Sequence, residues 1–365
     1  MKIKTILKIT IAFVFCLLIV KCVTEVNKEA DLDSSRVIFS PPVKSPFKNN
    51  VGIGFSVEQT TWFADSLKFN LPLQQKYTYE RLVNISKDFK LIRIYSFLIA
   101  GWEYTGNLTP EAYALTQLAK KDKSIEMAIG TSNSINWYMV ESNIQFFVDT
   151  LQNKFGSSIS QVKTILIGNE INANGYTQSN VATIMRNFKK VLKKNGLNIP
   201  VSVTFSNLPI QSGDALSDSL IKAVVSNWDT TWNSNKPFVF IDPYPDAQGI
   251  GSASGVYKWQ NGVTNYYKTY YPSLQIFIGE TGAEGSTSNA RTALFIKSLF
   301  LQLTAQYDSV KKTVPTFLFE AVNEPLKDSV PNQRFMGIYL DSSRPTVTGE
   351  VLKNGIVLPK WFKVK

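Results

Sequence analysis

From Val51 onward the chain alternates between two hydrophobic rhythms. Short, nearly continuous apolar runs such as Thr164-Ile165-Leu166-Ile167 read as strands covered on both faces. Between them lie longer amphipathic stretches. In residues 177–195 the apolar positions Val181, Ile184, Met185, Phe188, Val191 and Leu192 follow i, i+3, i+4, i+7 spacing, the stripe of a helix lying on a core. Gly196 then supplies a C-terminal stop. Residues 290–307 carry a similar stripe through Leu294, Ile296, Leu299, Phe300 and Leu303. Candidate strands begin near Val51, Leu91, Glu126, Val162, Pro200, Phe238, Leu274 and Val314, at intervals of 35 to 40 residues. Eight strand-plus-helix units of nearly constant length predict an α/β fold, a single-domain (β/α)8 TIM barrel over residues 49–345. Residues 346–365 form an extension packed on it. An open doubly wound sheet rarely needs eight such regular units.

Ahead of the barrel the pattern changes. Lys2, Lys4 and Lys8 precede an uninterrupted apolar run from Ile9 to Val20, so residues 1–22 read as an export signal. The run is shorter than the roughly 20 residues a bilayer span needs. Cys22 raises a lipoprotein signal, although Lys21 stands where such signals carry a small residue; the alternatives are a plain cleaved signal or a weak membrane anchor. Residues 23–48, with Pro41, Pro42 and Pro46, read as a tether. The expected location is therefore secreted or in the cell envelope, with membrane or cell-surface attachment through the N-terminus if Cys22 is lipidated.

Composition narrows the chemistry. With 44% hydrophobic and 18% charged residues the chain can bury a sizeable core. The formal net charge of +11 raises nucleic acid as a partner, but the lysines spread along helix faces (Lys189, Lys190, Lys193, Lys194) and no arginine-rich cluster occurs. No nucleic-acid partner is expected. The absence of histidine removes Ser-His-Asp and Cys-His nucleophile systems and His-based zinc sites together. Both cysteines, Cys16 and Cys22, lie in the leader, so the body has no thiol chemistry. Neither a metal cluster nor a phosphate-cradling glycine loop is present in the sequence, so no cofactor and no metal are expected. Acid–base work is left to carboxylates, Tyr and Lys.

In such barrels the chemistry sits at the C-terminal ends of the strands. The fourth candidate strand ends in Gly168-Asn169-Glu170 and the seventh in Gly279-Glu280-Thr281-Gly282. Either Glu alone could close a salt bridge at the barrel rim. Two carboxylates facing each other across one mouth are what glycosidic cleavage requires, one protonated to donate to the leaving oxygen and one ionised to attack the anomeric carbon.

These strand ends resemble those of the retaining barrel glycosidases, and across residues 51–345 the chain most resembles glycoside hydrolase family 17, the β-1,3-glucanases and related glucanosyltransferases. The likeness rests on Val51-Gly52-Ile53-Gly54-Phe55, Arg93-Ile94-Tyr95, Gly168-Asn169-Glu170, Gly279-Glu280-Thr281-Gly282 and Phe319-Glu320-Ala321-Val322-Asn323-Glu324-Pro325-Leu326-Lys327. It implies Glu170 as acid/base, Asn169 on the sugar 2-hydroxyl, Glu280 as nucleophile, and a polysaccharide or oligosaccharide substrate cleaved with retention. Three positions depart from the family: Ala283-Glu284 stands for Trp-Pro, Asp242 for Asn, and Met336-Gly337 for Trp-Gly. Tyr244 is a candidate hydroxyl donor to Glu280 or a rim aromatic, and Arg93 a cation for the Glu280 side or a strand-end ion pair. Glu324 and Lys327 are a candidate supporting pair. Phe55, Tyr95, Trp137 and Trp259 are candidate sugar platforms, each singly as well read as packing. Other readings are a glucan transglycosylase, a barrel glycosidase of another family acting on another β-linked polysaccharide, and a non-catalytic carbohydrate-binding envelope protein.

Overall fold

The computed structural model describes residues 45–57, 70–206, 208–211, 213–231, 234–245, 252–283, 288–323, 336–340, 352–353 and 356–362. The leader, most of the tether, Glu284, Glu324 and Lys327 lie outside the described residues. Among those described, no helix is long and apolar enough to cross a membrane.

Eight parallel strands close on themselves in chain order: β1 (Val51–Gly54), β2 (Leu91–Ile94), β3 (Glu126–Gly130), β4 (Val162–Ile167), β5 (Val201–Phe205), β6 (Phe238–Ile241), β7 (Gln275–Thr281) and β8 (Thr316–Leu318), with β8 pairing back onto β1. Each begins within two residues of the position read from the sequence. Between successive strands run α1 (Leu71–Ile85), α2 (Pro110–Lys121), α3 (Glu141–Phe155), α4 (Gln178–Lys194), α5 (Ala215–Asn227), α6 (Ala253–Tyr270) and α7 (Asn289–Val310). The chain is a single-domain (β/α)8 barrel.

Local chemistry sets the helix starts. Asn70, Thr109, Thr177, Asp214, Ser252 and Ser288 each accept the N–H three residues ahead, satisfying a donor that the first helical turn leaves unpaired. Helix α3 starts after Val140 without such a cap. In α4 all six residues of the apolar stripe are buried, and Gly196 follows with φ +66°. The lysines on its outer face meet acids: Lys189 and Lys193 lie 3.2 and 2.6 Å from Asp229, and Lys190 2.7 Å from Glu141.

The barrel interior is filled unevenly. Leu91, Ala128, Leu166, Phe238, Phe240, Phe277 and Phe317 come from six different strands yet pack on one another, which only the inside of a closed sheet allows. The rings crowd β6 to β8, and Gly52 on β1 beside them and Ala128 on β3 across from them leave the room. A Cβ at Gly52 would lie 2.7 Å from the Leu91 carbonyl and 2.8 Å from the Phe317 ring. Phe47 closes the N-terminal end, edge-on to Phe317 and Phe240 at 5.9 and 6.4 Å. The N–H groups of Lys48 and Asn49 both donate to Glu126 Oε2 at 2.8 Å. Residues 45–48, placed in the tether on their proline content, therefore belong to the barrel, because a buried ring and a buried carboxylate hold them there. At the other terminus Trp361 stacks on Tyr307 of α7 at 4.7 Å, and Phe362 packs edge-on against Phe300 and Phe89.

Phe47→Ala should cost about 3–5 kcal/mol, the range for emptying a buried aromatic site. Urea unfolding followed by fluorescence checks this; a variant with an unchanged midpoint would show that the plug carries no stability.

Candidate active site

Side chains alternate along a strand, so Arg93 points the same way as Leu91, two residues earlier, into the barrel. There it is almost wholly buried. Its Nη1 donates to the Gly279 carbonyl at 2.7 Å and its Nη2 to Asn169 Oδ1 at 2.6 Å. The same Nη2 lies 3.2 Å from Glu280 Oε1, and Nη1 lies 3.6 Å from Asp242 Oδ1. One guanidinium thus gathers the ends of β2, β4, β6 and β7. The Tyr95 ring lies beneath it, 4.7 Å from the guanidinium carbon. Burial works against the charge of Arg93, but Glu280 and then Asp242 outweigh it and hold the group firmly cationic.

Strict alternation would send Glu280 outward with Ile276 and Ile278, which belong to the layer between sheet and helices. It does not go there. Between Ile278 and Thr281 strand β7 advances three residues against two on β8, a bulge that turns the side chain toward the mouth. Gly279 makes room: a Cβ there would collide with Asp242 Oδ1 and lie 3.0 Å from Arg93 Nη1. Glu280 is 4% exposed, and the Tyr244 hydroxyl donates to its Oε2. Burial first, then the charge of Glu280, pushes the Tyr244 and Tyr95 hydroxyls well above their usual range, so both stay protonated. Both rings meet Phe319 edge-on, at 5.9 and 6.0 Å, which fixes their planes.

Beyond β4 the backbone reverses through two left-handed residues, Gly168 (φ +59°) and Glu170 (φ +48°). A left-handed Glu is uncommon and persists where neighbours hold it. The Gly168 N–H donates to Thr131 Oγ1 and the Asn169 N–H to Asn133 Oδ1, both at 2.8 Å. The Glu170 carbonyl accepts from the N–H groups of Ala173 and Asn174. Its side chain is half-buried, and its charge is felt at Asp242.

Asp242 is fully buried, and among the described residues neither carboxylate oxygen accepts a hydrogen bond. Burial raises its pKa well above the usual carboxylate range; Glu280 and Glu170 add to the rise and Arg93 opposes it. A second buried pair lies past β8. Glu320 is fully enclosed, and Lys353, reaching in from the C-terminal segment, has its amine pulled down to about 7 by burial although Glu320 works the other way.

The structure therefore brings Arg93, Tyr95, Asn169, Tyr244 and Glu280 together, with Glu170 coupled to them through Asp242. Phe55 is not part of the group: its side chain faces the helix layer and is wholly buried, so it offers no face to a sugar. Trp259 sits within α6, half-buried against the same layer, not at a strand end. Trp137 lies on the helical turn Ile135–Tyr138 after β3, half-buried and edge-on to Tyr138 at 4.7 Å. Asn133, which anchors the Glu170 turn, carries no sequence signal of its own.

No family model matches the chain, and no curated protein matches it in sequence. Solved structures do resemble it in fold. One is from a study of two plant β-glucan endohydrolases with distinct substrate specificities, at 14% identity and TM-score 0.55, covering 80% of this chain and 96% of that one. A family 17 β-1,3-glucanosyltransferase from Rhizomucor miehei matches at 12% identity and TM-score 0.53, over 84% and 96% of the two chains. A β-glucosidase from Exiguobacterium marinum matches at 11% and 0.52, over 89% and 98%.

Asp242 makes a signed prediction. Its pKa is raised on folding, so above about 3.9, where an unfolded Asp releases its proton, the folded state binds more protons than the unfolded one. Stability should then fall as pH rises, until the raised folded value is passed. Asp242→Asn removes that component. Urea midpoints of both proteins from pH 4 to 8 should diverge, the native chain losing ground to the variant; parallel curves would mean that the carboxyl is ionised throughout.

Proposed function

We infer that the chain cleaves β-1,3-linked glucan with retention of anomeric configuration, by double displacement between Glu170 and Glu280. The observation that carries this is the shared Arg93 nitrogen, which holds Asn169 at 2.6 Å and Glu280 at 3.2 Å and so sets the two strand ends at one centre. The likeness in fold to the plant endohydrolases and the Rhizomucor miehei enzyme supports the substrate class.

In the first step the Glu170 carboxyl gives its proton to the glycosidic oxygen while a Glu280 oxygen bonds to C1 and the C1–O bond breaks. The leaving chain departs with its new hydroxyl. In the second, water attacks C1, Glu170 takes the water's proton, and the bond to Glu280 breaks. Arg93 and the Tyr244 hydroxyl fix the Glu280 carboxylate on the approach line to C1, one on each oxygen. Asn169, held from behind by Arg93, keeps its amide N–H2 free to meet a sugar hydroxyl. An export signal at residues 1–22 fits a polysaccharide met outside the cytoplasm.

Glu170→Ala should lower hydrolysis of linear β-1,3-glucan by about 10²–10⁴-fold, the contribution of a general acid/base group, and Glu280→Ala at least as far. With an aryl β-glucoside of a linear β-1,3-gluco-oligosaccharide, whose phenolate leaves without protonation, azide should restore turnover in each, giving the β-glycosyl azide from the Glu170 variant and the α-azide from the Glu280 variant, read by NMR. Wild-type rates in both variants, or an inverted initial product from the native protein, would refute the assignment.

A further inference from the structure

Connections from strand to helix in such folds usually run 2–6 residues, yet β2 and α2 are joined by residues 95–109. The long loop is tied down. Leu98 bridges Leu108 in antiparallel fashion, the Ile99 N–H donates to the Asn107 carbonyl at 3.1 Å, and left-handed Gly101 and Gly106 turn the chain on either side of the short helix Glu103–Thr105. At its tip stand Trp102 and Tyr104, 59% and 64% exposed, their rings 6.1 Å apart and within 29° of parallel. Glu103 between them points inward, 2% exposed, and takes the hydroxyls of Ser132 and Ser134 at 2.5 Å each.

Scattered surface aromatics are ordinary, but adjacent rings held outward by a buried carboxylate between them are not. Their place matters too. The loop follows the C-terminal end of β2, on the face that carries Glu170 and Glu280. Ser132 and Ser134 flank Asn133, whose Oδ1 accepts the Asn169 N–H at 2.8 Å. A short run of hydrogen bonds therefore joins the aromatic tip to the turn that carries the acid/base. We propose that Trp102 and Tyr104 form a sugar-binding platform for a distal stretch of the glucan chain, on the Glu170 side of the mouth. The class of ligand rests on the function inferred above; the platform itself rests on the loop. Pyranose rings present flat C–H faces, and Trp and Tyr offer broad contact area with few rotamers to freeze. Because Glu103 already fixes the loop, binding orders little that was mobile before.

The test compares the native full-length protein, Trp102→Ala/Tyr104→Ala and Trp102→Phe/Tyr104→Phe, with thermal melting confirming the fold of each. Calorimetric titration with β-1,3-gluco-oligosaccharides of increasing length, each protein also carrying Glu280→Ala so that the ligand is not consumed, should show the affinity of the chain with its native loop climbing with length. The Ala variant should bind the longest about tenfold more weakly, the loss expected of truncated aromatic anchors, and the Phe variant, which keeps the rings, should bind like the native chain. Equal affinities for native and Ala proteins at every length would overturn the platform. If the native protein hydrolyses no β-glucan, the catalytic reading fails separately. The platform is then judged by native gels cast with soluble β-1,3-glucan, β-1,4-glucan derivatives or xylan: retardation lost only in the Ala variant supports it, and no retardation of the native protein by any of them rejects it.

Discussion

The site is organised around a buried cation, Arg93. Moving a guanidinium and two carboxylates out of water is costly, and the cost is recovered only where geometry lets each charge meet an opposite one. Arg93 provides that geometry. Its planar fork points one nitrogen at the Gly279 carbonyl and the other between Asn169 and Glu280, an arrangement the flexible point charge of a lysine could not reproduce. Several local features then follow from one requirement. Gly279 has no side chain because Asp242, Phe240 and the guanidinium together take the space. Burial lifts the pKa of Asp242, and Arg93 offsets the rise only in part because Glu280 lies closer to it.

The barrel was largely legible because its signal is repeated. A period of 35 to 40 residues, continuous apolar runs and one amphipathic stripe per unit all report the same layered arrangement. The positions of Glu170 and Glu280 were legible as well, since each follows directly on an apolar strand, and it was the pair rather than either acid alone that pointed to chemistry. What the chain did not disclose is direction. Nothing local separates Phe55, turned to the helix layer, from Tyr95, stacked on the cation. Glu280 has the wrong parity for the mouth until a bulge corrects it, and bulges depend on the partner strand rather than on the strand's own residues. Asp242 stood out in the sequence only as a departure from a family pattern; its burial beside Arg93 and Glu280 depends on what β2 and β7 place around it. Phe47 and the Trp102–Tyr104 tip were missed for a similar reason: prolines suggested a tether in one case, and a loop sequence carries no exposure signal in the other.

The two ends of the barrel differ in kind. The mouth is polar, charged and served by loops, whereas the opposite end is packed with rings and stoppered by Phe47. This division sets the buried charges at one end apart from the ring packing that keeps the strand ends in register.

Phe47 also sets an orientation. The chain enters the fold through residues 45–50, at the floor, a full strand length from the strand ends that carry Arg93 and Glu280. A load applied through residues 45–50 therefore falls on the packed floor of the barrel and not on the strand ends that hold Arg93 and Glu280.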